Sequence, residues 1–378
     1  MRLRIVTSPA HASTILAGSQ RLAVEFERRG HDAAVLPVDE VHGLAAGDVA
    51  VTWNGLGAML VPPGVTVASL LQSHPMYVRG LLGGQDGLPY NDVVFAPATA
   101  SWVDFLAAHG PASLTAVHLP LAPPRAGAAG EGAAPSGGVV VFGDVEDPAE
   151  IWRRLAVHPP RVLAVARAFR DAALSSPREA LHDVYRTVLD AHGIDVPRGR
   201  WKEPDHATFG RLAEVVESWV SASRFNALVR ELDAAGVPLT LVGRGFDTLG
   251  LRCDHRRIEP ADTSAALQSA ASAGLAVVRT SSPDLLDLTS LTLLSSGVAL
   301  LVPPSSLRRT FDVRGGLVFL DDADAVRERV LPLLKDPSAL ARRRVLARAA
   351  VERHFTWSAA AGALVQAVES VRTGRGTT

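Results

Sequence analysis

The sequence predicts an α/β protein built as two parallel-sheet domains that face a cleft. Three observations carry this. A chain of 378 residues is too long for one ordinary core. Short β-branched or apolar runs alternate with helical patterns along most of it, as in parallel sheets covered on both faces. Between residues 122 and 138 the composition turns abruptly to Ala, Gly and Pro, with no large apolar side chain after Leu121, which marks an interdomain linker. The first domain then covers 1–121 and the second opens at 139.

In the first domain, 3–7 reads as a strand that runs into the turn Ser8-Pro9-Ala10-His11. Residues 13–29 carry Ile15, Leu16, Leu22, Ala23 and Phe26 at helical spacing and stop at Gly30. Runs at 32–38, 49–53, 65–71, 93–96 and 114–119 supply further strands, with a helix over 102–108 that ends at Gly110. After the linker, 139–142 opens a new sheet and ends at Gly143-Asp144. Residues 149–235 are mostly helical, with a loop around 197–204. A strand at 239–242 leads into Gly243-Arg244-Gly245-Phe246. The stretch 273–303 then gives a buried strand, a polar turn with Pro283, a helix, a stop at Gly297 and a second buried strand. A strand at 317–320 and helices over 323–334, 337–352 and 357–371 close the chain.

Composition removes several function classes. Lys+Arg number 38 against 39 for Asp+Glu, a net charge of −1, so there is no general attraction for nucleic acid or an anionic membrane. The single Cys253 excludes an internal disulfide and a cysteine-rich metal site. The apolar run behind the basic start is too short for a secretory signal, and none approaches the roughly 18 residues of a membrane span. A soluble cytoplasmic protein is expected. The 12 histidines show no H-x-x-x-H or H-E-x-x-H grouping. The G-x-S-x-G nucleophile turn, the Walker loop and the dinucleotide fingerprint G-x-G-x-x-G are all missing, which argues against hydrolase, ATPase and NAD chemistry.

Several local patterns occur in an order that resembles the GT-B glycosyltransferases, within them the family-4-like and CgeB-like (spore maturation protein-like) enzymes. His118-Leu119-Pro120-Leu121-Ala122 is similar to the segment closing their first domain, and 139–143 to the strand opening the second. Arg224 to Gly245 resembles their helix, strand and glycine loop. Ser295-Ser296-Gly297 resembles the small-residue end of the donor helix, and His354-Phe355-Thr356-Trp357 the start of the last helix. The resemblance implies a nucleotide-sugar-binding domain over 139–354 and a C-terminal helix, 355–378, crossing back to the first domain. It also implies two glutamates eight positions apart that hold sugar and ribose. Those places fall on Asp284, which keeps a carboxylate, and on Thr292, which offers only a hydroxyl.

Candidate site residues follow. Amides and the positive dipole end of the helix behind Pro283 suit a diphosphate, and Ser281, Ser282 and Asp284 either cap that helix or meet the donor. Gly143, Asp144, Gly243, Arg244 and Gly245 lie at strand ends, where glycines permit close approach and a guanidinium can pair with phosphate. His11, at the carboxyl end of the first strand, is the candidate general base, with Asp284 as its catalytic partner on the donor side. Ser13, Trp53, Asn54, His74 and Tyr77 are candidates for the acceptor side; structural roles compete at each.

The expected function is transfer of a sugar from a nucleotide-diphosphate sugar to a small-molecule acceptor. The nucleotide sugar is a co-substrate, and no further cofactor or metal is expected. A non-catalytic binding protein of the same shape, or an epimerase or phosphorylase, are the alternatives.

Overall fold

The computed structural model describes residues 1–9, 13–76, 92–110, 114–119, 121–123, 137–196, 204–259, 263–310, 316–322 and 324–374. Among the described residues, twelve strands form two six-stranded parallel sheets. The first contains β1 (Arg2–Thr7), β2 (Asp32–Pro37), β3 (Val49–Trp53), β4 (Thr66–Leu71), β5 (Val93–Pro97) and β6 (Thr115–Ala116), in the order β2-β1-β3-β4-β5-β6. The second contains β7 (Val139–Phe142), β8 (Leu239–Val242), β9 (Arg256–Ile258), β10 (Leu275–Val278), β11 (Ala299–Val302) and β12 (Leu317–Phe319), in the order β12-β11-β10-β7-β8-β9. Every residue of β3, β4, β5, β7 and β11 is buried, as parallel strands covered on both faces require. Strand β9, with two arginines in three residues, gave no apolar signal to read.

Strand order reverses between β1 and β3 in one sheet and between β7 and β10 in the other, so each lobe opens its crevice at the carboxyl ends of those strands. The described helices are α1 (Ser13–Arg28), α2 (Ala100–His109), α3 (Pro148–Arg153), α4 (Pro160–Ser175), α5 (Leu181–Ala191), α6 (Pro204–Ala234), α7 (Thr263–Ala273), α8 (Leu288–Ser295), α9 (Leu307–Thr310), α10 (Leu331–Lys335), α11 (Pro337–His354) and α12 (Trp357–Arg372).

Strand membership and packing divide the chain differently. Helices α4 and α5 and the front of α6 follow β7 in sequence, yet Phe169, Tyr185 and Val216 share a core with Val67 and Phe95 of the first sheet and Phe105 of α2. The back of α6, through Phe225, Leu228 and Leu232, packs with Val141 and Leu241 of the second. One helix thus runs from one lobe's core into the other's.

The C-terminal helix α12 returns to the first lobe. The Trp357 indole N–H donates to the Pro123 carbonyl at 2.9 Å, and Arg29 donates to the Ser358 carbonyl at 2.7 Å. The Trp357 ring passes α1 at Gly18, where an added Cβ would sit 3.1 Å from it. Glycine at this helical position permits the close crossing.

Candidate functional site

The carboxyl ends of the second sheet carry two interlocked glycine turns. Gly143 follows β7 with φ +127°, and Gly243 and Gly245 follow β8 with φ +141° and +81°. A Cβ on Gly243 would meet the Gly143 carbonyl oxygen at 2.2 Å, so a side chain there has no room. Asp144 accepts from the Arg244 amide at 2.8 Å, and the Val145 amide donates back to the Arg244 carbonyl. Asp144 and the Arg244 side chain are both exposed. Arg279, just past β10, completes the group. It packs under Gly143, whose Cβ would fall 2.3 Å from its own, and donates to Glu146 at 2.8 Å and to the Ser221 hydroxyl. Burial lowers the Arg279 pKa, against the pull of Glu146.

The donor helix starts later than the sequence suggests. The expectation was a helix from about Pro283 capped by Ser281, Ser282 or Asp284; α8 starts at Leu288, and Asp287 is its N-cap, accepting from the Ser290 amide at 2.8 Å. The reason is tertiary. The Asp284 carboxylate accepts from the amides of Ser306 at 2.9 Å and Leu181 at 3.2 Å, while the Ser282 hydroxyl donates to Glu217. These pulls draw the turn inward, and Leu285 and Leu286 are buried with it. The Leu288 amide faces the Gln72 side chain of the first lobe at 3.5 Å, and Ser281 donates to the Gln72 carbonyl at 2.9 Å. A cavity of about 40 Å³, lined by Arg279, Pro283, Leu286 and Ser290 among others, lies beneath the turn. That holds water, not a nucleotide. A larger hollow of about 640 Å³ sits at the opposite, amino ends of β7 and β8, away from the crevice. Thr292 is buried and donates to the Leu288 carbonyl of its own helix at 2.7 Å.

Glu217 of α6 stands where the lobes meet, and sequence reasoning missed it. Trp102 donates to both of its oxygens at 3.3 Å, Ser282 donates from the other lobe, and the His74 Nε2 lies 3.6 Å away. Burial pushes its carboxyl up to about 8, with Asp284 and Glu214 adding to the rise against the hydrogen bonds from Ser282 and Trp102. Burial drives His74 the other way, to about 3, with His182 and His109 opposing its charge as well. Both directions favour neutral partners over an ion pair. Arg279 was also missed; among many arginines, only its place after a central strand singles it out.

Residues 223–366 match the family model described as glycosyl transferase-like. No curated protein matches the chain as a relative. Among solved structures, an alpha-glucosyltransferase in complex with UDP and a 13-mer DNA is similar at a TM-score of 0.56 and 12% identity, covering 98% of this chain and 100% of that one. A DNA-modifying beta-glucosyltransferase, studied with and without uridine diphosphoglucose, gives 0.54 at 8% identity over 98% and 99%. Sucrose-phosphate synthase from Thermosynechococcus elongatus gives 0.51 at 12% identity over 99% and 100%. The fold is GT-B. With the glycosyl transferase-like match, that frame supports a transferase.

The remaining candidates stand as follows. His11 and Tyr77 lie outside the described residues. Ser13 begins α1. Trp53 is buried and donates to the Ser19 hydroxyl at 2.9 Å. Asn54, at φ +48°, accepts from the amides of Gln72 and Ser73 and so shapes the β4 turn. The His74 Nδ1 accepts from the Met76 amide at 3.2 Å, leaving Nε2 toward Glu217. Trp53, Asn54 and His74 therefore each hold protein partners on the GT-B first lobe.

The fold also brings together Asp233, Cys253 and His255, a grouping that motif spacing did not reveal. Its bonds are complete without an ion. The Leu239 amide donates to His255 Nδ1 at 3.4 Å, so the proton sits on Nε2, which donates to Asp233 at 2.8 Å. Asp233 also accepts from the Arg252 and Cys253 amides. No helix among the described residues is long and apolar enough to cross a membrane.

Proposed function

We propose that the protein transfers a glycosyl group from a nucleoside-diphosphate sugar to a small-molecule acceptor, as a GT-B enzyme of the family-4-like or CgeB-like kind. The match of residues 223–366 to the glycosyl transferase-like model, which spans β8 to β12 of the second sheet of a GT-B frame, is the observation that carries this reading. The donor diphosphate would meet the glycine turns at Gly143, Gly243 and Gly245, where exposed Arg244 offers counter-charge. His11, four residues past β1 in the sequence, would take the acceptor proton. Asp284, Ser281, Ser282 and Thr292 would reach a donor only after the 280–287 turn moves, because each now holds a protein partner.

The test is a panel of UDP-, GDP- and dTDP-sugars scored by ligand-induced melting shift, then by transfer. No response to any of them sinks the reading. His11→Ala should cut turnover and leave donor binding intact; loss of both would mean a structural role.

A second reading, a GT-B-shaped binding protein without catalysis, draws support from the buried Asp284 and the internally bonded Thr292. Donor affinity with neither transfer nor hydrolysis across many acceptors would favour it.

A further inference from the structure

Two buried carboxyls stand where the lobes meet, Glu217 and Asp284. Glu217 sits in the stretch of α6 between the part packed on the first sheet and the part packed on the second. Its donors come from both sides: Trp102 on α2 of the first lobe, and Ser282 in the turn that covers the second lobe's strand ends. Within ion-pair distance among the described residues there is only His74, from the turn after β4.

Among the described residues no lysine or arginine comes within ion-pair distance of Glu217. Behind His74 stand His182 on α5 and His109 on α2, whose rings lie 5.6 Å apart and disfavour a proton on His74. From the 280–287 turn comes Asp284, a second carboxyl, already tied to two amides. On the same helix, Glu214 lies one turn earlier, partly buried with its own pKa raised. Of the arginines packed against this part of α6, Arg224 spends its guanidinium on the carbonyls of Pro304 and Ala173, and Arg279 spends its own on Glu146 and on Ser218 and Ser221. A carboxylate formed here would have hydrogen-bond donors and no counter-ion. Parting the lobes would return it to water.

We propose that Glu217 is a proton-dependent latch between the lobes: as a neutral acid it holds the 280–287 turn against Trp102, and on ionisation it releases that turn and opens the crevice to an anionic ligand. The identity of that ligand as a nucleotide rests on the proposed function; the latch itself does not. Opening is linked to proton release, so the opening equilibrium rises up to about tenfold per pH unit between the solvated and buried pKa values of the group, and levels off above them.

Amide hydrogen exchange over 280–287 in the full chain, corrected for intrinsic rates at pH 6, 7 and 8, reads the latch directly. Protection in the wild type should fall by up to about 100-fold across that range. Glu217→Gln keeps the shape but cannot ionise, and its protection should be flat with pH. Ser282→Ala keeps the acid and loses one tie; it should be less protected at every pH yet retain the slope, which keeps the idea testable if Glu217→Gln folds poorly. A flat wild type, an equal slope in Glu217→Gln, or a lost slope in Ser282→Ala would overturn the latch. UDP affinity, measured in parallel, should rise from pH 6 to 8 in the wild type and not in Glu217→Gln. No UDP binding at any pH would count against the donor reading and leave the exchange result standing.

Discussion

Glu217→Gln should make the folded protein more sensitive to acid, and the structure supplies the size of the effect. Three buried groups at the lobe junction titrate in opposing senses. His74 and His182 have folded pKa values lowered to about 3 and about 4, both mainly by burial. The unfolded chain therefore takes up protons first as pH falls below about 6.5, and stability is lost in that direction. From pH 7 to 5 the two histidines together cost about 4 kcal/mol by linkage. Glu217, raised to about 8, contributes stability that is complete at low pH and is lost as pH rises, so the same descent returns about 2 to 3 kcal/mol. The wild-type junction thus loses only about 1 kcal/mol net, whereas Glu217→Gln exposes the full histidine term. Urea denaturation of both proteins at pH 7 and pH 5 checks this, because the difference between them cancels every other titrating group. Equal pH dependence in the two proteins would refute the reasoning, and would mean that Glu217 is already ionised beside a protonated His74.

Other outcomes follow from single contacts. Gly243→Ala, at φ +141° with no space for a Cβ, should cost about 3 kcal/mol or more and abolish whatever binds at the glycine turns, seen by denaturation and by nucleotide titration. Trp357→Ala removes the ring at Gly18 and the bond to Pro123. It should cost about 3–5 kcal/mol and leave α12 open to limited proteolysis. Arg244→Ala touches an exposed side chain, so melting should not change while UDP binding weakens by about 1.5–3 kcal/mol in calorimetry. Dialysis against a chelator should leave the melting temperature unchanged, since Asp233, Cys253 and His255 are satisfied by one another and by backbone amides.

How much was legible depended on whether a signal was local. The strand at 49–53 was visible because VAVTW is apolar in nearly every position, and a parallel strand buried on both faces needs that. The glycine turns were visible because two glycines straight after a strand mark a tight turn, whatever it binds. The start of α8 was not. Ser282, Asp284 and Asp287 are all acceptable caps by type, and only the amides of Leu181 and Ser306, 103 and 22 residues away, turned Asp284 to another task and left the cap to Asp287. Glu217 was hidden more deeply. In a helix of 31 residues, a glutamate flanked by Glu214 and Ser218 looks like part of a solvated face until Trp102 and Ser282 close over it.

The order of apolar runs, glycine stops and the Ala/Gly/Pro break determined by itself that this chain makes two parallel sheets with a helix at the end. Those features act through neighbours in sequence, where backbone geometry and side-chain period decide the outcome. Only the tertiary structure decided which polar groups are buried, which strand ends stay open, and that helices encoded after β7 cover the first sheet. Burial and pairing depend on partners that are distant in sequence, and a side chain carries no mark of whom it will meet.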